Sequence, residues 1–439
     1  MAPYSPPASE RALGLGFYLT DTPGVPATVK ASAEEFRVAE ISSHPLPDPS
    51  GEFTVLRVVS RDWEQHELGA ALARQLGLPP HAIAWSGTKD RHAIAERLAS
   101  YRGAPPNGDL GLPRVELIEA YRARDGLVLG HHYGNSFAIH VIPQGEGLEA
   151  AARAYDVTDR ALRAVGGFPN FFGPQRFGEV RPITHEVGRA LVCGDPAAAV
   201  DAYLTAIPSG TVPGRGDGAR AAYSQHRDPA RALREMPLDY RFERTLLERL
   251  ARGQEASQAL RGLSRDLRLL FVHAYQSFLY NRWMTARREA DLSLTFPVPG
   301  DRVLRIGRDG TVRGQDPVPV EADNLRECTD LVARGGARLA GPLVGYETPM
   351  ESGPVGDLLT RLLQEEGIDR SGFRIPFAPE VSSRGAWRPL LVPVPPTTRT
   401  ADVTGIWFRF ALPKGAYATV FLREFFKTGS SPKEGAIGG

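Results

Sequence analysis

Cysteine is almost missing from this chain: Cys193 and Cys328 are the only two in 439 residues, far apart and in no C-x-x-C pair. That excludes a disulfide framework and leaves a cysteine-based zinc site without ligands. Long apolar runs are missing too. None approaches the roughly 20 residues that cross a bilayer, and the N-terminus lacks the pattern of a secretory leader. The chain is therefore expected to be cytoplasmic. No Walker-type G-x-x-x-x-G-K, no G-x-G-x-x-G after a strand, no G-x-S-x-G and no H-E-x-x-H occurs, so phosphate-loop, dinucleotide, hydrolase-elbow and zinc-protease chemistries lose their signatures. Charge of one sign is not in excess, since the formal net charge is +1. Lysine is scarce: Lys30, Lys89, Lys414, Lys427 and Lys433 are the whole set among 52 basic residues. Lysine is a compact point charge and arginine a planar fork, and the two are not interchangeable at tight sites. In so arginine-biased a chain this points at Lys30, Lys89 and Lys414.

What is present describes an ordinary globular protein of two or three domains, with 42% apolar and 23% charged residues. Between Arg215 and Arg268, twelve arginines stand against eight acids. This is a candidate phosphate-facing surface, with solvated helix faces as the alternative. The stretch of greatest chemical interest is Trp85-Ser86-Gly87-Thr88-Lys89-Asp90-Arg91-His92. A short apolar run, 81–85, reads as a buried strand ending in Gly87, where positive φ is available. Lys89 and Arg91 flank Asp90, and nearby positive charge favours an ionised carboxylate. An ionised Asp in a basic setting suits an anionic substrate; a charged surface turn is the plain alternative.

Along the chain, alternation predicts strands at Phe36–Ile41 and Phe53–Val59. Leu68, Leu72 and Leu76 form one helical stripe stopped by Gly77. A strand pair is expected at Leu127–Leu129 and Phe137–Ile142, followed by a helix over Leu148–Val165. The adjacent His131 and His132 are not expected to bind a metal, because neighbours on an extended segment point to opposite sides. Next comes Phe168-Pro169-Asn170-Phe171-Phe172-Gly173-Pro174-Gln175-Arg176-Phe177-Gly178. Four rings among amides and an arginine offer either a core-packing loop or a pocket that stacks and reads a flipped base. Broken helices then span 195–255, with a mobile loop expected at Pro208–Gly218. A long helix covers Arg261–Arg287, short strands follow over 292–343, and a helix covers Leu358–Glu366. A strand at Ile406–Leu412, a turn at Pro413–Ala416 and a helix from Tyr417 to Phe426 are expected to dock on the N-terminal sheet.

Six segments in order carry a specific resemblance. Lys30 with Ser32-Ala33-Glu34-Glu35-Phe36-Arg37-Val38 resembles the K-x-x-P-E-D-F-x-V-x-E opening of the TruD family of tRNA pseudouridine synthases. Gly87-Thr88-Lys89-Asp90-Arg91, then Ala93, resembles its G-x-K-D-[RK]-x-A motif. Gly134-Asn135-Ser136-Phe137 is similar to its G-N-x-F segment, and 169–178 to its P-N-Y-F-G-x-Q-R-F-G signature. Ala274 to Asn281 and Leu412-Pro413-Lys414-Gly415 to Arg423-Glu424 complete the set.

The resemblance implies an α+β fold, a mixed-sheet pseudouridine synthase core with a large inserted TRUD domain. The first part of the core is expected at 1–195, the insertion at 196–390, and the last strand and helix plus a flexible tail at 391–439; the helix 261–287 could pack with either. It implies that Asp90 is the nucleophile that converts a uridine, position 13 in the D arm of tRNA, to pseudouridine, through the base or the sugar carbon. Lys30, Phe36, Lys89, Arg91, Asn170, Phe172 and Tyr417 would contact the substrate. The partner implied is tRNA. No metal and no organic cofactor are needed for a redox-neutral isomerisation, and a monomer is expected. The alternative is an inactive RNA-binding or RNA-folding protein on the same scaffold. Three departures from the family pattern stand out. Ala33 replaces a Pro, Ala95 and Arg97 replace Thr and Gln, and Tyr417 stands where Phe is common, where a phenol could stack or act as a base.

Overall fold

A computed structural model describes residues 4–29, 32–42, 45–87, 89, 92–145, 147–178, 180–208, 214–307, 310–314 and 316–428. Lys30, Asp90 and Arg91, and part of the loop expected at Pro208–Gly218, lie outside the described residues. The chain forms two compact units. One comprises Thr20–Phe168 with Pro393–Thr428; the other comprises Pro169–Val392 with the N-terminal residues up to Leu19.

The first unit is built on a nine-stranded mixed sheet. Its path runs Thr398–Ala401, Ile406–Pro413, Gly134–Pro143, Phe36–Ile41, Ile94–Arg102, Phe53–Arg61, Val115–Ala123. Ala27–Val29 also pairs with Gly134–Pro143, and Ala84–Trp85 with Ile94–Arg102. Only Phe36–Ile41 beside Ile94–Arg102 is parallel; the other described pairings are antiparallel. Period-2 alternation sets the faces, as Phe36 and Val38 are buried while Arg37 between them is exposed. The helix Gln65–Gln75 drops Leu68 and Leu72 onto Leu56, Val58, Ala99 and Tyr101. The helices Leu148–Val165 and Ala418–Phe426 pack on each other. An aromatic cluster joins them to the sheet, with Tyr155 against Phe408 and Phe425, and Phe421 against Phe410. The C-terminal strand and helix therefore dock on the N-terminal sheet as expected.

Three local expectations fail here. Ile94–Arg102 and Val115–Ala123 are strands that alternation did not pick out, because Glu96, Arg97, Glu116 and Glu119 interrupt it. Leu127–Leu129 is not a strand; Leu127 instead packs with Val55, Leu98 and Ala123. The apolar run at 81–85 shortens to a two-residue, half-buried strand, Ala84–Trp85. Lysine scarcity acquires a further meaning at Lys427. Its backbone is left-handed (φ 39°), and its buried ammonium donates to the carbonyls of Thr20 at 2.5 Å and Thr22 at 2.6 Å. Both threonine hydroxyls lie within 3.2 Å of it as well. Burial pulls this amine down to about 8.

The second unit centres on the helix Arg265–Glu289. This unit begins at Pro169 and takes in the N-terminal segment, for reasons visible in the packing. A Cβ on Gly188, in the helix Thr184–Val192, would meet Phe271 O at 2.0 Å, so the two helices touch nearly backbone to backbone. Asn281 donates to Leu13 O and Thr285 to Gly14 O, at 3.0 and 2.8 Å. A small antiparallel sheet, Val318–Pro319, Arg302–Arg305, Ala337–Leu343 and Ala386–Pro389, belongs to the same unit. Six of the twelve arginines between 215 and 268 pair with carboxylates as follows, four of them exposed and two, Arg220 and Arg268, buried. Arg215 pairs with Asp239, Arg227 with Asp201, Arg231 with Glu235, Arg252 with Glu248 and Arg268 with Glu380. Arg220 bridges Asp217 and Glu243.

His185 of this unit sits between Phe278 (4.8 Å between ring centroids) and Phe177 (5.3 Å). Burial lowers its pKa from 6.5 to about 4. Between these two values the unfolded chain binds a proton that the folded chain refuses, so stability is lost as pH falls through that window. Unfolding at pH 7 and about pH 5 is expected to show a loss of about 2 kcal/mol that is absent in His185→Phe.

Candidate active site

The turn after Trp85 is held by side chains from three other segments of the sheet unit. Ser86 is fully buried, and its hydroxyl donates to one carboxylate oxygen of Glu40. The other oxygen of Glu40 accepts from Lys89 Nζ at 3.0 Å, with the two side chains 2% and 1% exposed. Glu40 comes from the same face of Phe36–Ile41 as Phe36 and Val38, which precede it by four and two residues along the period-2 pattern. The Ser86 carbonyl accepts from the Gly130 amide at 2.7 Å and faces His132 Nδ1 at 2.9 Å. A carbonyl only accepts, so Nδ1 carries the proton there. Burial, and next the charge of Lys89, lower the pKa of His132, which keeps its ring neutral near pH 7. Lys414 donates through Nζ to Gly130 O at 2.7 Å and through its amide to Tyr133 O at 2.9 Å.

Gly87 answers to a different constraint from the one its sequence context suggests. It does not lie at positive φ. A Cβ there would meet His132 Cε1 at 2.8 Å, so the close approach of the ring demands glycine. Beneath the turn, Arg97 is 1% exposed with its guanidinium 5.8 Å from the Trp85 ring centroid. Its Nε and Nη1 are buried without a hydrogen-bond partner. Burial lowers it to about 10 against the opposing charges of Glu64 and Glu40.

Of the other sequence-predicted residues in this unit, Phe36 is 2% exposed and meets Phe137 edge-on at 6.2 Å. Tyr417 is half-buried and occupies the residue before the helix Ala418–Phe426, three positions after Lys414. The structure brings Lys89 and Lys414 into one scaffold through Ser86 and Gly130.

Asn170 and Phe172 belong to the second unit. Phe168, Phe171 and Phe177 are fully buried core rings, so only Phe172 of the four keeps a different setting. The Asn281 side chain brackets Phe172, accepting from its amide at 2.8 Å and donating to its carbonyl at 3.0 Å. Arg388 lies over the Phe172 ring at 4.0 Å and over Tyr280 at 5.7 Å. The same guanidinium donates to Asn170 O at 2.9 Å and to Asn170 Oδ1 at 2.6 Å. Asn170 Nδ2 donates to Pro389 O at 2.9 Å. The Asn170 oxygen is thus occupied by Arg388, and one of its amide hydrogens by the backbone.

Sequence reasoning missed Glu40, Ser86, His132, Asn281 and Arg388 as parts of this machinery. Signals existed for Glu40, a carboxylate on the apolar face of an alternating strand and the last position of the K-x-x-P-E-D-F-x-V-x-E pattern, and for Asn281, the last residue of the 274–281 motif. Among the described residues, no group of three or more His, Cys, Asp or Glu could hold a metal ion.

The chain resembles known proteins over nearly its whole length. The sequence model of a family described as tRNA pseudouridine synthase D (TruD) matches residues 12–425. A protein of Halobacterium salinarum named "Probable tRNA pseudouridine synthase D" is 34% identical over 428 residues, covering 95% of this chain and 97% of its own. A namesake in Archaeoglobus fulgidus is 34% identical over 429 residues, covering 95% and 99%. A crystal structure from Methanosarcina mazei, whose own assignment as tRNA pseudouridine synthase D (TruD) is provisional, aligns with a TM-score of 0.79 at 32% identity, covering 96% of this chain and 98% of its own.

The Arg388 fork predicts that Arg388→Lys, which keeps the charge and loses the planar double donation, destabilises the chain by about 2 kcal/mol. Urea unfolding measures this; an unchanged midpoint and slope would show that the fork contributes nothing.

Proposed function

The chain belongs to the tRNA pseudouridine synthase D (TruD) family, and from that premise we propose that Asp90 is the nucleophile with which it isomerises uridine 13 of tRNA. A pseudouridine synthase of this type is an isomerase. The uracil is released from N1, turns, and rejoins the ribose through C5, with atoms and electrons conserved.

The observation that supports the proposal is the buried network of Glu40, Ser86 and Lys89, the residue that precedes Asp90 in the chain. A nucleophile held in place needs less reorganisation to reach its target. A carboxylate must be ionised to attack. Lys89 and Arg91 favour that form, although part of the Lys89 charge is spent on Glu40. By the family resemblance, Lys30, Phe36, Lys89, Arg91 and Tyr417 of the sheet unit are proposed substrate contacts and so, separately, are Asn170 and Phe172 of the other unit.

Asp90→Asn is expected to abolish pseudouridine formation on a tRNA transcript while tRNA affinity stays near wild type. Mapping pseudouridine at each position of the transcript measures both the loss and the site. Full activity in Asp90→Asn would remove the nucleophile assignment, and product at a position other than 13 would remove the target.

A further inference from the structure

We propose that Glu40 is a positioning residue for Asp90, a clamp that sets the turn without touching the substrate. The proposal rests on the reading of Asp90 as nucleophile. Glu40 lies on a central strand of the sheet, paired on one side with Ile94–Arg102 and on the other with Gly134–Pro143, where its Cα faces Asn135. Both of its oxygens are used on the same turn. One takes the Ser86 hydroxyl and the other the Lys89 ammonium, so the carboxylate ties the two described ends of the segment 86–89 to the sheet. Asp90 follows Lys89 directly. A side chain fixed at both oxygens and closed to water cannot swing, and it limits the turn accordingly.

The same geometry assigns Lys89 inward. An ammonium 1% exposed and 3.0 Å from a carboxylate is a member of a buried ion pair. Lysine rather than arginine fits here because its single compact head can meet one oxygen while Ser86 meets the other. Removing one partner of such a pair leaves the other charge buried and uncompensated, whereas removing both does not.

Three variants separate this from a structural role. Glu40→Asp keeps the charge and shortens the reach by one methylene. Ser86→Ala removes one arm and leaves both charges paired. Glu40→Gln combined with Lys89→Met removes both charges at once. The readouts are the single-turnover rate of pseudouridine formation, the Kd for the tRNA transcript, and Tm. The rate is expected to fall by up to about 100-fold, the scale of a misplaced reacting group, in variants whose Kd and Tm stay close to wild type. Wild-type rates in the variants that fold overturn the clamp, and so does a rate loss that tracks Tm or Kd. The Asp90 reading is judged separately: a wild-type chain that forms no pseudouridine, or an active Asp90→Asn, overturns that reading and the clamp with it.

Discussion

Burying an ammonium and a carboxylate together is costly unless their geometry and remaining hydrogen bonds compensate the lost water. At Lys89 and Glu40 the compensation is local, since the second carboxylate oxygen accepts from Ser86. The arrangement of the surrounding loops depends on this. Ser86 is held through its side chain by the sheet and through its carbonyl by Gly130 and His132, while Lys414 holds Gly130 from the C-terminal turn. A glycine at 87 is then the only residue that leaves room for the His132 ring. Parts of the chain near residues 40, 86, 130 and 414 meet at one turn because each supplies a polar partner the others need.

The second unit solves an analogous problem with a guanidinium. Arg388 satisfies the Asn170 backbone and side-chain oxygens while its face covers Phe172. Asn281 closes the Phe172 backbone from the long helix. Polar groups in a loop this buried need partners, and the protein provides them from residues more than a hundred positions away. The same requirement explains why the buried Arg220 pairs with Asp217 and Glu243, and Arg268 with Glu380.

Much of the sheet unit was legible beforehand. Phe36–Ile41, Phe53–Arg61, the stripe of Leu68 and Leu72, and the C-terminal strand and helix follow from periodicities of 2 and 3.6 that burial on one face imposes. Ile94–Arg102 was not legible, because a strand between two neighbours can bury Arg97 against Trp85 while the sequence shows only a charge. The aromatic loop at 168–178 was half legible. Its rings announced burial, but which of them faced the core depended on Asn281 and Arg388.

The sequence by itself determined the family, through six ordered motifs, and the residue types at the turn: a carboxylate between two cations after a glycine. Only the tertiary structure decided what those types do. Lys89 faces Glu40 inside the protein, Gly87 yields space to a histidine instead of adopting positive φ, and Asn170 is anchored by an arginine. The reason is physical. Patterning along a chain fixes which face of an element is buried, whereas the partner of a buried charge or amide is chosen by whichever distant segment the fold brings within 3 Å, a typical hydrogen-bond distance of about that length.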